Sequence, residues 1–217
     1  MTIITIINPK GGVGKTTLTL NLGLFLAAQS QTVVFVDLDP LNSLSDWLSR
    51  RPKTLPQIKC IKSNCNKFSI DDFAAGDENI TYLIDCPAAM DQQQISKLLN
   101  ISDIFLIPVN PSPVDLGALT RFVFKLAAID GDILNSKPIA LIANRSKSYT
   151  RLHSDILSKI EKLKIPLIGT LRDTQNYTLP ASQGMGVIDL PNYRARSDIE
   201  NWSTILQWIK KSYSAND

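Results

Sequence analysis

Short apolar runs, most of them rich in β-branched residues, punctuate the chain at Ile3–Ile7, Val33–Val36, Ile80–Ile84, Ile104–Val109, Ile139–Ala143 and Ile165–Ile168. Most do not alternate between apolar and polar positions, which is the pattern of strands buried on both faces of a parallel sheet. The segments between them carry helical period. Thr16–Ala28 is apolar almost all round and predicts a buried helix. Ser43–Arg50 (with Trp47), Asp91–Leu99 and Val114–Ile129 predict further helices. Thr150–Leu163 sets Leu152, Ile156, Ile160 and Leu163 on one stripe, and Asp198–Lys211 sets Ile199, Trp202, Leu206 and Ile209 on another. Pro52–Phe68 is the least regular stretch and predicts a peripheral strand or loop.

This alternation predicts an α/β fold, an open and mostly parallel twisted sheet with helices on both faces. At 217 residues, against roughly 150 per domain, and with no repeat or linker, a single domain over 1–217 is expected. With 44% hydrophobic and 20% charged residues the chain is not a disordered one. Cys60, Cys65 and Cys86 form no paired framework and no Cys-x-x-Cys clip, so idle thiols in a reducing compartment are expected rather than a secreted disulfide scaffold. No apolar run approaches the ~18–20 residues of a membrane span. The stretch after Met1 is too short for a signal peptide and runs into a glycine-rich loop. The expectation is a soluble, cytoplasmic protein.

That loop carries the chemistry. Asn8-Pro9-Lys10-Gly11-Gly12-Val13-Gly14-Lys15-Thr16-Thr17 joins the first strand to the first helix. Glycines let successive backbone N–H groups converge on a phosphate, and the following helix points its positive end at the same anion. Lys15 then reaches the β- and γ-phosphates, the Thr16 hydroxyl is placed to ligate Mg²⁺, and Thr17 is placed to touch the α-phosphate. Compared with the general G-x-x-x-x-G-K-[ST] pattern, Pro9 replaces the first glycine and a second lysine, Lys10, enters the loop. A glycine-rich turn with incidental lysines would not need so many specified residues in this context. A P-loop NTPase site is expected.

Lys10–Thr17 resembles the deviant Walker A box of the ParA/MinD ATPases, within the SIMIBI-type P-loop proteins. The resemblance runs along nearly the whole chain. Val36-Asp37-Leu38-Asp39-Pro40 resembles their second acidic box, Leu83-Ile84-Asp85-Cys86-Pro87 their Walker B strand end, and Ile107–Pro113 the segment after the fourth strand of ParA proteins. The chain looks like the small ParA type, with Leu41 where those members usually place glutamine. The resemblance implies ATP and Mg²⁺ as ligands and gives Lys10 a role in trans, reaching the ATP of a second copy as an arginine finger would. Hydrolysis then requires a homodimer closed over two nucleotides.

Asp39, just past a strand end, is the candidate for orienting the attacking water. Asp37 and Asp85 end neighbouring strands, where open α/β sheets bind ligands, and are the candidates for holding Mg²⁺ through its water shell. A helix cap or turn is the alternative for each aspartate. Asn144 closes the fifth run and is placed to bond adenine edges, as an equivalent residue does in relatives, although turn chemistry accounts for it as well. Asp39–Ser43 and Cys86–Asp91 are the candidate switch segments.

Charge then distinguishes partners. Residues 145–172 hold Arg145, Lys147, Arg151, Lys159, Lys162, Lys164 and Arg172 against Asp155 and Glu161, and this local excess (7 − 2 = +5) exceeds the +3 of the whole chain. Arg194, Arg196, Lys210 and Lys211 form a second cluster. A solvated surface explains any one of them; as a group, and with the ParA resemblance, they suggest nonspecific DNA binding through phosphates. A nucleoid-associated ATPase follows, working with a ParB-type or McdB-type adaptor to segregate a plasmid or chromosome or to position a protein compartment such as a carboxysome. The rivals are a MinD-like membrane-associated ATPase, a metabolic P-loop amidoligase or synthase, and a nucleotide-gated scaffold with negligible turnover. The polar tail Ser212–Asp217 argues against the membrane. His153 lacks a triad partner and reads as a surface residue, and Cys86 alone does not hold an iron–sulfur cluster.

Overall fold

The computed structural model of the chain describes residues 1–69, 79–147, 158 and 163–214. The helix expected over 150–163, with Arg151, His153, Lys159 and Lys162, lies outside those residues except at 158 and 163.

The expected apolar runs form β1 (Thr2–Ile6), β2 (Thr32–Asp37), β4 (Ile80–Asp85), β5 (Ile104–Val109), β6 (Ile139–Ser146) and β7 (Leu167–Arg172). A further strand, β3 (Lys59–Lys62), comes from the irregular stretch and lies at one edge of the sheet. Its Lys-Cys-Ile-Lys pattern hides it, because an edge strand is only half covered. All pairings are parallel and the spatial order is β3-β2-β4-β1-β5-β6-β7. From β1 the chain steps out to β2 and to β3 at one edge, returns with β4 between β2 and β1, and then runs through β5 and β6 to β7 at the other edge. The reversal falls at β1, and the crevice above its carboxyl end is where such sheets bind ligands.

Helices α1 (Lys15–Ala28), α2 (Ser43–Ser49), α3 (Gln92–Ile101) and α4 (Pro113–Ile129) follow the expected segments closely. After them come the short α5 (Ile133–Ser136) and α6 (Gln175–Thr178), two 3-10 turns at Ala181–Gln183 and Val187–Asp189, and the long α7 (Asn192–Ser214). Alternate strand residues serve opposite faces. Ile3 and Ile7 pack with Leu98 of α3 and Leu119 and Phe122 of α4, whereas Ile4 and Ile6 pack with α1 and with Trp202, Ile205 and Ile209 of α7. Each buried Leu, Ile or Phe contributes about 1.5–3 kcal/mol, so this two-faced burial dominates the stability of the fold. The apolar character of α1 all round follows from its place between sheet, α2 and α7. Its Gly23 is required there: a Cβ would come within 2.2 Å of the Phe35 ring on β2.

Several boundaries differ from expectation, among them the end of β6, which runs to Ser146 rather than Ala143. Strand β7 starts after Pro166 and runs to Arg172, beyond the expected 165–168. Helix α7 starts well before Asp198; its first turns are polar and bury only Ala195, so apolar periodicity does not reveal them.

Candidate nucleotide site

The P-loop leaves β1 under tight local control. Ile7 donates to the Leu106 carbonyl, and Asn8 braces both sides of the turn, donating from Nδ2 to the Pro108 carbonyl at 2.8 Å and accepting at Oδ1 from the Lys10 N–H at 2.8 Å. Gly11 and Gly12 lie at the surface while the Val13 side chain is fully buried, pinning the loop from within. Gly14 caps α1 with φ +93°, in the left-handed region that disfavours a Cβ. A Cβ there would also fall 2.1 Å from Asn144 Nδ2.

Lys15 folds back over the loop, donating from Nζ to the Lys10 carbonyl at 3.2 Å with only 6% of the residue exposed. Burial holds its ammonium below the usual lysine range, and the charge of Asp85 is the largest opposing influence. That is a cation poised for an anion, since phosphate oxygens would supply what the desolvated ammonium lacks.

Asp85 is wholly buried at the end of β4, beside Asp37 in strand register. Its carboxylate accepts from the Thr16 hydroxyl and, at 3.4 Å, from Thr19 Oγ1. Its Oδ2 has no hydrogen-bond partner. Burial pushes its pKa up to about 7. An orphaned carboxylate oxygen next to the Thr16 hydroxyl fits a hydrated divalent cation. Among the described residues no group of three or more His, Cys, Asp or Glu forms a metal cage, so such a cation would depend on phosphate oxygens and water for its remaining ligands.

The other acidic residues are engaged differently. Asp37 spends its carboxylate on α2: Oδ2 accepts from the Ser45 N–H at 2.9 Å and from Ser45 Oγ at 2.8 Å, and Oδ1 from the Asp39 N–H at 3.3 Å. It anchors the N-terminus of that helix, the cap alternative open at the sequence level. Asp39 begins a turn, its Oδ1 accepting from the Leu41 N–H at 2.9 Å and its carbonyl from the Asn42 N–H. It is partly exposed and its charge reaches both Lys15 and Asp85.

Asn144 is committed to protein. Its Nδ2 donates to the Val13 carbonyl at 2.8 Å and its Oδ1 accepts from the Arg145 N–H, so it braces the P-loop from β6. The Cys86–Asp91 segment hooks onto the same loop through the Ala89 N–H and the Pro9 carbonyl, with Ala89 at φ +52°. Sequence reasoning missed Asn8, Thr19 and Ser45, and above all Asp115, whose Oδ1 lies 2.7 Å from Lys10 Nζ.

The basic clusters divide on inspection. Arg172 pairs with the buried Asp198, Arg194 bonds Asn176 Oδ1, Arg196 pairs with Glu200 and Lys147 with Asp173. Arg172 and Arg194 thereby hold α6 and α7 against β7, a packing role that charge counting does not reveal. Arg145 and Lys164 are exposed. The cysteines are free thiols; Cys60 and Cys65 are each pushed up to about 11 by burial, which leaves them unreactive.

A parallel sheet reversing at β1, with a glycine-rich loop, a buried lysine and an orphaned carboxylate at its carboxyl edge, defines a P-loop nucleotide-binding protein. The chain belongs to the CobQ/CobB/MinD/ParA nucleotide binding domain family, whose model matches residues 4–187. It is 27% identical over 208 residues to the maintenance of carboxysome distribution protein A of Halothiobacillus neapolitanus, covering 95% of each chain. Among solved structures it is similar to apo McdA of Cyanothece (TM-score 0.73, 18% identity, 98% of this chain and 99% of that one). It is also similar to a putative plasmid partition protein of Borrelia burgdorferi bound to AMPPNP (TM-score 0.69, 21% identity, 97% and 98%).

Proposed function

We propose that the chain, as one domain over 1–217, is a ParA-type ATPase. It binds ATP with Mg²⁺, closes with a second copy over two nucleotides, holds DNA nonspecifically in that state, and is released when a ParB-type or McdB-type adaptor stimulates hydrolysis. The cargo is a plasmid, a chromosome or a protein compartment, and the working place is the nucleoid in the cytoplasm.

The observation that carries this reading is the pair of lysines in one loop. Lys15 is buried and turned inward, whereas Lys10 stands at the rim with its side chain 36% exposed. A buried lysine for the loop's own phosphates and a second lysine at the rim support the reading in which Lys10 serves another copy's. Thr16 and Asp85 would hold magnesium, which would supply neutralisation of phosphate charge, with Asp37 fixing the α2 side of the site. Asp39 orients the water that attacks the γ-phosphate, and Lys10 stabilises charge developing on the bridging oxygen. The carboxysome-distribution and plasmid-partition relatives support a positioning role. Against membrane anchoring, α7 spends its apolar face on the sheet, with Trp202, Ile205 and Ile209 fully buried, and no helix among the described residues is long and apolar enough to cross a membrane.

The test is Lys10→Ala. The variant keeps nucleotide binding, measured by a fluorescent ATP analogue, and loses Mg²⁺-ATP turnover. Wild-type turnover in that variant would remove the second copy from the chemistry.

A further inference from the structure

Lys10 has a partner within its own chain. Asp115, in the first turn of α4, is 5% exposed, and its Oδ1 lies 2.7 Å from Lys10 Nζ. The carboxylate is fixed from the other side: Oδ2 contacts the hydroxyl of Ser112, and Ser112 Oγ accepts from the Asp115 N–H at 3.1 Å as the cap of α4. Apart from the lysine, Asp115 Oδ1 has no hydrogen-bond partner among the described residues. The aspartate is therefore rigid and half satisfied, and Lys10 completes it.

We propose that Asp115 is a positioning residue that latches Lys10 in the separate protomer, so that pairing over nucleotide must first open an intrachain ion pair. This rests on the in-trans role of Lys10 proposed above. The physical content is competition for one ammonium. A lysine held by its own aspartate is not available to a neighbouring copy, and pairing weakens by the fraction of time the latch is closed. Opening also leaves a buried carboxylate oxygen without its cation, a cost paid in each copy of a symmetric pair. Nucleotide supplies the opposing pull only when it presents its full set of phosphate charges across the interface. The latch thus raises the threshold for pairing and suppresses closure without a triphosphate. Neighbouring residues fit such a rim: Val114, beside the latch, and Leu41, after Asp39, are apolar and exposed at 71% and 77%.

The experiment compares wild type, Asp115→Asn, Asp115→Gln, Lys10→Ala and the double variant Lys10→Ala/Asp115→Asn by sedimentation with AMPPNP and Mg²⁺, alongside ATP turnover without adaptor. Asparagine keeps the size of the side chain, and glutamine is the residue a capping box favours at this position of a helix, so α4 retains its start in at least one variant. The expected result is AMPPNP-dependent pairing about a hundredfold tighter in the Asp115 variants, about tenfold from each of the two copies for a latch closed about nine times in ten. Basal turnover rises with it, and neither change survives in the Lys10→Ala background. Unchanged or weaker pairing in the folded Asp115 variants overturns the latch, as does the same gain in the absence of Lys10. If Lys10→Ala itself pairs and turns over like wild type, the in-trans reading fails instead, and the two failures are told apart by that variant alone.

Discussion

Replacing Asp85 with asparagine separates what this carboxylate does to the fold from what it does for a ligand. The side chain is fully buried, and burial raises its pKa from 3.8 to about 7, with Asp37 and Asp39 adding to the effect while the Thr16 hydrogen bond and the Lys15 charge oppose it. The folded chain thus holds this proton more tightly than the unfolded chain. Its contribution to stability is complete below about pH 4, declines as the pH rises toward 7, and is gone above that. At about 1.4 kcal/mol for each pH unit, the loss by pH 8 reaches up to about 4 kcal/mol, of which only about 1.5 is lost by pH 5. Asparagine has the same shape and no charge. In urea denaturation without nucleotide, Asp85→Asn is therefore expected to exceed wild type by up to about 4 kcal/mol at pH 8 and by about 1–2 at pH 5. The same variant loses the Mg²⁺-dependent part of its nucleotide affinity. A difference independent of pH would refute the reasoning, because the acid would then not be titrating in the folded chain. A variant less stable at both pH values would show that Thr16 and Thr19 need the carboxylate more than the interior penalises it.

Gly14→Ala is expected to lower nucleotide affinity at least tenfold, since a left-handed alanine costs about 1–2 kcal/mol and its Cβ would strike Asn144 Nδ2. Adding Asn144→Ala removes the collision and leaves the backbone strain, so a fluorescent-nucleotide titration showing full recovery would contradict the strained cap. Arg51→Ala is expected to destabilise the chain by about 3–5 kcal/mol, the cost of breaking a buried pair. Arg51 and Asp189 meet at 2.9 Å with side chains 3% and 9% exposed, and a loss below about 1 kcal/mol in chemical denaturation would mean that water reaches them.

The parts of this molecule that can be read from sequence are those whose physics is local. Strands β1, β4 and β5 are buried on both faces, so their β-branched runs announce them without alternation, and the P-loop puts its glycines, lysines and threonine in consecutive positions. What escaped reading depends on distant partners. Asp37 ends a strand as a magnesium-holding aspartate would, yet its oxygens are spent on Ser45, whose place depends on where α2 starts. Asn144 reads in the sequence as a base contact or a turn residue, and in the fold it bonds the backbone of Val13, a contact only the β6 placement creates. Arg172 counts as a surface charge until Asp198, on a helix whose polar opening conceals its start, is found buried beneath it.

The same long-range contacts say where movement between nucleotide states is cheap. Helix α2 is fixed at its start by Asp37 and just past its end by Arg51, which binds Asp189 and donates to the carbonyls of Gly184 at 2.7 Å and Pro56 at 2.8 Å. Displacing the helix as a body would break a buried ion pair and strip a cap together. Between the end of β2 and the start of α2, however, Asp39–Asn42 is held by turn hydrogen bonds of its own, with Asn42 at φ +51° and Leu41 exposed. A segment with few buried contacts between two rigid supports opens at low cost. Asp39 can then swing toward or away from a phosphate while α2 stays seated. The Cys86–Asp91 segment has a different support, the Ala89 bond to Pro9 inside the P-loop, so it follows the loop that carries Lys10. On this geometry Asp39 and Lys10 ride on separate supports, the first on a turn between β2 and α2 and the second on the P-loop.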